Sequence, residues 1–84
     1  MAAVSVFIVE RYWPGVSVAD VEDLARRLRQ NLGGHSAVRY LGTVLLVEDA
    51  VVQCRFEAPD VEAVVRANQS LGAAFDRILL AYAA

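Results

Sequence analysis

Cysteine is almost missing from this 84-residue sequence: Cys54 stands alone, so no internal disulfide can form. A lone thiol suits a reducing compartment, and the cytoplasm is the expected location. Histidine is equally scarce. His35 is the only one, and metal sites generally gather three or four converging ligands. No metal site and no cofactor are therefore expected, although two-fold pairing of His35 with its own copy leaves a route to one. No serine or cysteine has a visible histidine partner for nucleophilic chemistry. Long apolar runs are absent too, and none nears the ~20 residues of a spanning helix. The apolar stretch at residues 4–9 has no basic leader and runs directly into Glu10 and Arg11, so it reads as a strand, not a signal peptide. No membrane contact is expected. A basic stripe is also missing: net charge is −2, and Arg26, Arg27 and Arg29 lie beside Glu22 and Asp23. That pattern reads as a solvated helix face with pairs Glu22–Arg26 and Asp23–Arg27, and nucleic acid is not an expected partner.

What the chain has in quantity is hydrophobic residues, 57% of the total, above the usual share for a soluble domain. Residues 1–84 make one domain's worth of chain, with a thin core and no disulfide to staple it. Residues 4–12 are rich in β-branched and aromatic types and read as a strand, broken at Pro14-Gly15. Ser17-x-x-Asp20 is a capping pattern for a helix whose stripe is Val18, Val21, Leu24, Ala25, Leu28 and Leu32. Gly33-Gly34 stops it. Residues 36–48 and 51–57 form a hairpin about Glu48-Asp49-Ala50, with Gly42 a bend or bulge. Asp60 caps a second helix with a stripe of Val61, Val64, Val65 and Leu71, ending at Gly72. Residues 76–82 are the last strand. The order β-α-β-β-α-β predicts an α+β, ferredoxin-like sandwich: a four-stranded antiparallel sheet, two helices on one face, first and third strands central.

The strands carry too much apolar surface for one covered face. Val4, Val6 and Ile8 point one way and Phe7 and Val9 the other; residues 44–47 and 78–80 also load both sides. Monomers rarely expose a patch of that size, so a homodimer, closed as a dimeric α/β barrel, is the expected assembly.

Polar residues that break these patterns are the candidate sites. Asn68 falls on the stripe of the second helix that faces the sheet, where a buried amide must find partners or cost about 1–3 kcal/mol. Gln53, Arg55 and Glu57 alternate with Val52, Cys54 and Phe56, so they project to the other face, with Glu10, Arg11 and Arg39 as candidate partners. Arg55 would anchor a small anionic or hydrogen-bonding ligand there. Tyr40, like Tyr12 and Trp13, offers a ring for stacking, and Tyr40, Gln53, Arg55 and Asn68 are the candidate ligand-binding set. Glu10 and Glu57 are the candidate acid–base pair. Cys54 reads as an inert core thiol.

Three groups of residues carry a family resemblance: Glu10-Arg11 with Pro14-Gly15; Cys54-x-Phe56-Glu57-Ala58-Pro59-Asp60; and Ala67-Asn68 with Gly72 and Phe75-Asp76-Arg77-Ile78. In this order and spacing the chain resembles a family of short bacterial domains of unknown function, some described as nickel-binding proteins. The resemblance implies a ferredoxin-like fold and dimerisation. Nickel-binding members carry histidine in the second helix region, where this chain has Ala67, Asn68 and Gln69.

The expected function is a small dimeric binding domain for a small molecule or metal ion. The alternatives are a cofactor-independent enzyme of the cyclase, isomerase or oxygenase type, by analogy with similar barrels, and a subunit whose apolar sheet face binds another protein.

Overall fold

The parity of the first strand sets the architecture. The computed structural model describes residues 4–32, 37–82 and 84. Along β1 (Ser5–Tyr12), Phe7, Val9 and Arg11 are buried, while Val6, Ile8 and Glu10 are half-buried. The element order continues with α1 (Val18–Leu32), β2 (Arg39–Leu46), β3 (Val51–Ala58), α2 (Val61–Ser70) and β4 (Arg77–Ala81). The strands form one sheet in the order β2-β3-β1-β4, antiparallel throughout. β1 and β3 are central, as right-handed crossovers require. This is the expected ferredoxin-like α+β arrangement.

Helix α1 starts on a complete capping box. Ser17 Oγ accepts from Asp20 N at 3.1 Å and Asp20 Oδ2 accepts from Ser17 N at 2.9 Å, which satisfies two backbone donors. Leu24 and Leu28 are buried against the sheet. Val18, expected on that stripe, is 66% exposed, while Val21 in the same turn packs against the core. The expected i,i+4 pairs give way to an Asp23–Arg26 pair one residue shorter, and Arg27 instead donates to Leu71 O at 3.0 Å. The Gly33-Gly34 stop and His35 lie outside the described residues.

Helix α2 is capped as expected, with Asp60 Oδ1 accepting from Ala63 N at 2.9 Å. Its buried residues are Ala63, Val64, Ala67 and Asn68; Val61 is exposed. Of the expected stripe, Val64 is fully buried and Leu71 packs on the core, while Ala63 and Ala67 join the contact face and Val61 turns out to solvent. Small side chains let the helix backbone sit close over β3, so Asn68 reaches into the layer between helix and sheet.

The core fills that layer. Val9, Leu28, Val52, Cys54, Phe56 and Val64 are fully buried. Each large apolar member contributes about 1.5–3 kcal/mol by leaving water. In the β2–β3 hairpin the register steps from Tyr40 opposite Phe56 to Gly42 opposite Arg55. This is the expected bulge, and Gly42 holds it at φ +136°, a conformation that side-chain-bearing residues rarely adopt.

Both helices bury their stripes on the face that carries Phe7, Val9, Val52, Cys54 and Phe56. The opposite face displays Val6, Ile8 and Glu10 from β1, Gln53, Arg55 and Glu57 from β3, Arg77 and Leu79 from β4, and Val44 and Leu46 from β2.

Candidate functional site

The two faces hold two separate polar groups. On the open face the strands bring Arg77, Glu10 and Gln53 into one cross-strand row. Arg77 Nε donates to Glu10 Oε1 and Gln53 Nε2 to Glu10 Oε2, each at 2.6 Å. These bonds, Arg77 first and Gln53 next, hold the Glu10 carboxyl below its ordinary value despite some burial. Glu10 therefore stays ionised and fully engaged, which suits a structural anion better than an acid–base catalyst. Glu57 stands further along the face, with Arg39 at 3.7 Å in an exposed pair of little energetic weight. Arg55 is exposed between Ile8 and Gly42, and no described carboxylate pairs with it. Four of the candidate residues, Glu10, Gln53, Arg55 and Glu57, thus share this face.

The other two, Tyr40 and Asn68, lie on the helix side. Tyr40 packs its ring against Phe56, centroids 5.7 Å apart, and shares a hydrogen bond with Thr43. Thr43 Oγ1 contacts Cys54 Sγ at 3.2 Å. Burial raises the Tyr40 phenol and the Cys54 thiol above their ordinary values, although Thr43 pulls each down. Cys54 is a protonated thiol at neutral pH, as the inert reading requires.

The centre of the helix-side group is Arg11. It is only 6% exposed, and Asn68 is fully buried beside it. Arg11 was expected among the open-face partners, but two-residue alternation after Phe7 and Val9 turns it inward. Its Nη2 donates to Asn68 Oδ1, its Nε to Ala74 O at 2.9 Å, and its Nη1 to Cys54 Sγ at 3.5 Å. Asn68 Nδ2 in turn donates to Val64 O at 2.9 Å, which fixes the amide with its oxygen toward the guanidinium. The signal in the sequence was the pairing problem itself: a charged residue on the core parity of one element and an amide on the core stripe of another.

Arg11 also borders a pocket of about 230 Å³, lined by Arg11, Trp13, Leu24, Arg27, Ala73 and Ala74. A larger hollow of about 330 Å³, between α1 and α2, is lined by Leu32, Val38, Ala63 and Ala67 with exposed Arg66, and no buried side chain with a charge or an amide faces it.

Among the described residues no three His, Cys, Asp or Glu side chains converge. The buried thiol has a guanidinium at its sulfur, a poor neighbour for a cation, and Glu10 is taken by Arg77 and Gln53. These side chains do not fit a bound metal ion.

The family model described as nickel responsive protein SCO4226-like matches residues 7–80 of the chain. That is most of its length, and the chain belongs to this family. No curated protein and no solved structure matches it.

Proposed function

We propose, with membership of that family as the premise, that this chain is a non-catalytic binding domain. It acts as a homodimer, covers its open sheet face with a second copy, and holds a small polar molecule there. The observation that carries this reading is the composition of that face. Val6, Ile8, Leu79, Val44 and Leu46 frame the hydrogen-bonded row of Arg77, Glu10 and Gln53, with Arg55 free beside it. The apolar frame gives a second copy something to bury. The polar row, already internally satisfied, gives a ligand directional groups once water is excluded. Two-fold pairing would bring two copies of Arg55 to one cavity.

A small molecule is favoured over a metal because the described side chains do not form a metal site. Binding is favoured over catalysis because Glu10 is held ionised by two partners, and no described base faces a nucleophile. The test has two parts. Sedimentation should give twice the 9.1 kDa chain mass, and Ile8→Glu should shift the protein to the single-chain mass. A thermal-shift screen of small metabolites and divalent metals should then find a metabolite that raises the Tm of the native dimer. A wild-type protein that sediments as one chain would remove the reading. A Tm rise with nickel and with no organic molecule would overturn the choice of ligand.

A further inference from the structure

The pocket beside Arg11 lies on the helix side of the sheet, away from the proposed dimer cavity, and its chemistry is different. From its lining we infer that it binds a small organic carboxylate, with Arg11 and Arg27 gripping the anionic head and Trp13 and Leu24 packing the apolar body.

The case begins with an unbalanced charge. Arg11 is more than nine-tenths buried, and no described carboxylate contacts it. A guanidinium taken out of water without a counter-ion loses several kcal/mol of hydration unless an anion and hydrogen bonds repay it. Its described partners are an amide oxygen, a backbone carbonyl and a protonated thiol, all formally neutral. A guanidinium carries five N–H donors, and three are used. The two that remain are one on Nη1 and one on Nη2, and each can donate to an anionic oxygen.

The second cation is Arg27, on the same pocket wall. Its Nη2 reaches Leu71 O at 3.0 Å, which holds the side chain across the pocket edge, and no described acid pairs with it. The acid nearest in sequence, Asp23, is engaged by Arg26. The remaining lining is apolar: Trp13, Leu24, Ala73 and Ala74. A bare inorganic anion would leave that surface unused. At about 230 Å³ the pocket is below the range typical of drug-sized ligands, so the occupant is no larger than about a single ring with its carboxylate.

Trp13 is the only tryptophan in the chain, so its fluorescence reports this pocket alone. Titration with cyclohexanecarboxylate, at constant ionic strength, should give a saturable change in Trp13 emission. The neutral isostere cyclohexylmethanol should bind at least roughly tenfold more weakly, since a charge-assisted bond is lost. Arg27→Ala, an exposed position with the fold checked by circular dichroism, should also weaken the carboxylate roughly tenfold. Ile8→Glu on the opposite face should leave this titration unchanged, which separates the pocket from the dimer cavity. The inference is overturned if the carboxylate gives no saturable signal, if the alcohol binds equally well, or if Arg27→Ala binds like the wild type. Equal or tighter binding of inorganic phosphate would likewise overturn the carboxylate class.

Discussion

Replacing Asn68 by leucine isolates the energy of the buried Arg11–Asn68 contact. Leucine has the same branching and heavy-atom count as asparagine, so no cavity opens, but its two methyls are bulkier than the amide and crowd the fully buried site, which adds to the loss. What disappears is the one acceptor of Arg11 Nη2. A hydrogen bond to a charged group contributes about 1.5–3 kcal/mol, and stranding a buried charged donor adds to the loss. Asn68→Leu should therefore destabilise the fold by about 3 kcal/mol. In a domain of this size each kcal/mol moves Tm by about 4–8 °C, so Tm should fall by more than about 10 °C. Arg11→Met should cost about 1–3 kcal/mol, because it leaves Asn68 Oδ1 and Ala74 O without their donor. The double variant is the decisive measurement. With both partners apolar, neither strands the other, and the loss should fall at least ~1.5 kcal/mol short of the sum. Urea unfolding measures all four proteins, at one fixed protein concentration because the proposed dimerisation would make stability concentration-dependent. Additivity within about 0.5 kcal/mol would refute the reasoning.

Three further outcomes follow from other contacts. Glu10 has a depressed folded-state pKa, so its stabilisation is present above the ordinary glutamate value of 4.5 and is lost as pH falls below it; Glu10→Gln should flatten the acid limb of the stability–pH curve, and an unchanged limb would contradict the Arg77 and Gln53 bonds. Cys54, fully buried with its thiol pushed up, should resist Ellman's reagent in the native protein and react in full in concentrated urea. Gly42→Ala should cost about 1–3 kcal/mol in urea unfolding through backbone strain at φ +136°, since the added methyl meets only Arg55 Nη2, at an ordinary 3.6 Å; a neutral result would mean the bulge relaxes.

The strands, caps and hairpin were legible because each rests on local chemistry. Ser17 with Asp20, Asp60 alone, and Gly42 at the bulge each act through the backbone within a few residues. The alternation of Val52, Cys54 and Phe56 with Gln53, Arg55 and Glu57 likewise follows from the two-residue pleat. Asn68 was legible as buried, but its partner was not. Which residue meets it depends on how α2 packs on the sheet, and that contact face is Ala63, Val64 and Ala67, of which only Val64 stood on the expected stripe. The salt bridges failed for a related reason. Arg27 could pair with Asp23 on its own helix, yet a carbonyl on the loop after α2 lies within its reach, and helical spacing says nothing of that loop.

Glu10 and Arg11 are neighbours of opposite charge, and in a helix or a loop they could neutralise each other. On a strand they cannot, because consecutive side chains leave by opposite faces. The sheet thus works as a charge separator. Glu10 is neutralised outside by Arg77, while Arg11 is carried inside, where its described partners are all neutral. The result is a helix-side layer with a net positive charge and an open face whose anions are already paired. A cation gains nothing from either arrangement. Among the described residues no three His, Cys, Asp or Glu side chains converge, and the buried Arg11 has no described carboxylate beside it. Substituting Arg77 would free Glu10 on the open face without touching Arg11. If the separation of charge is the governing feature, Arg77→Ala should raise affinity for divalent cations measurably and leave carboxylate binding at the Trp13 pocket unaltered; equal changes at both sites would show that the two faces communicate and that the sheet does not insulate them.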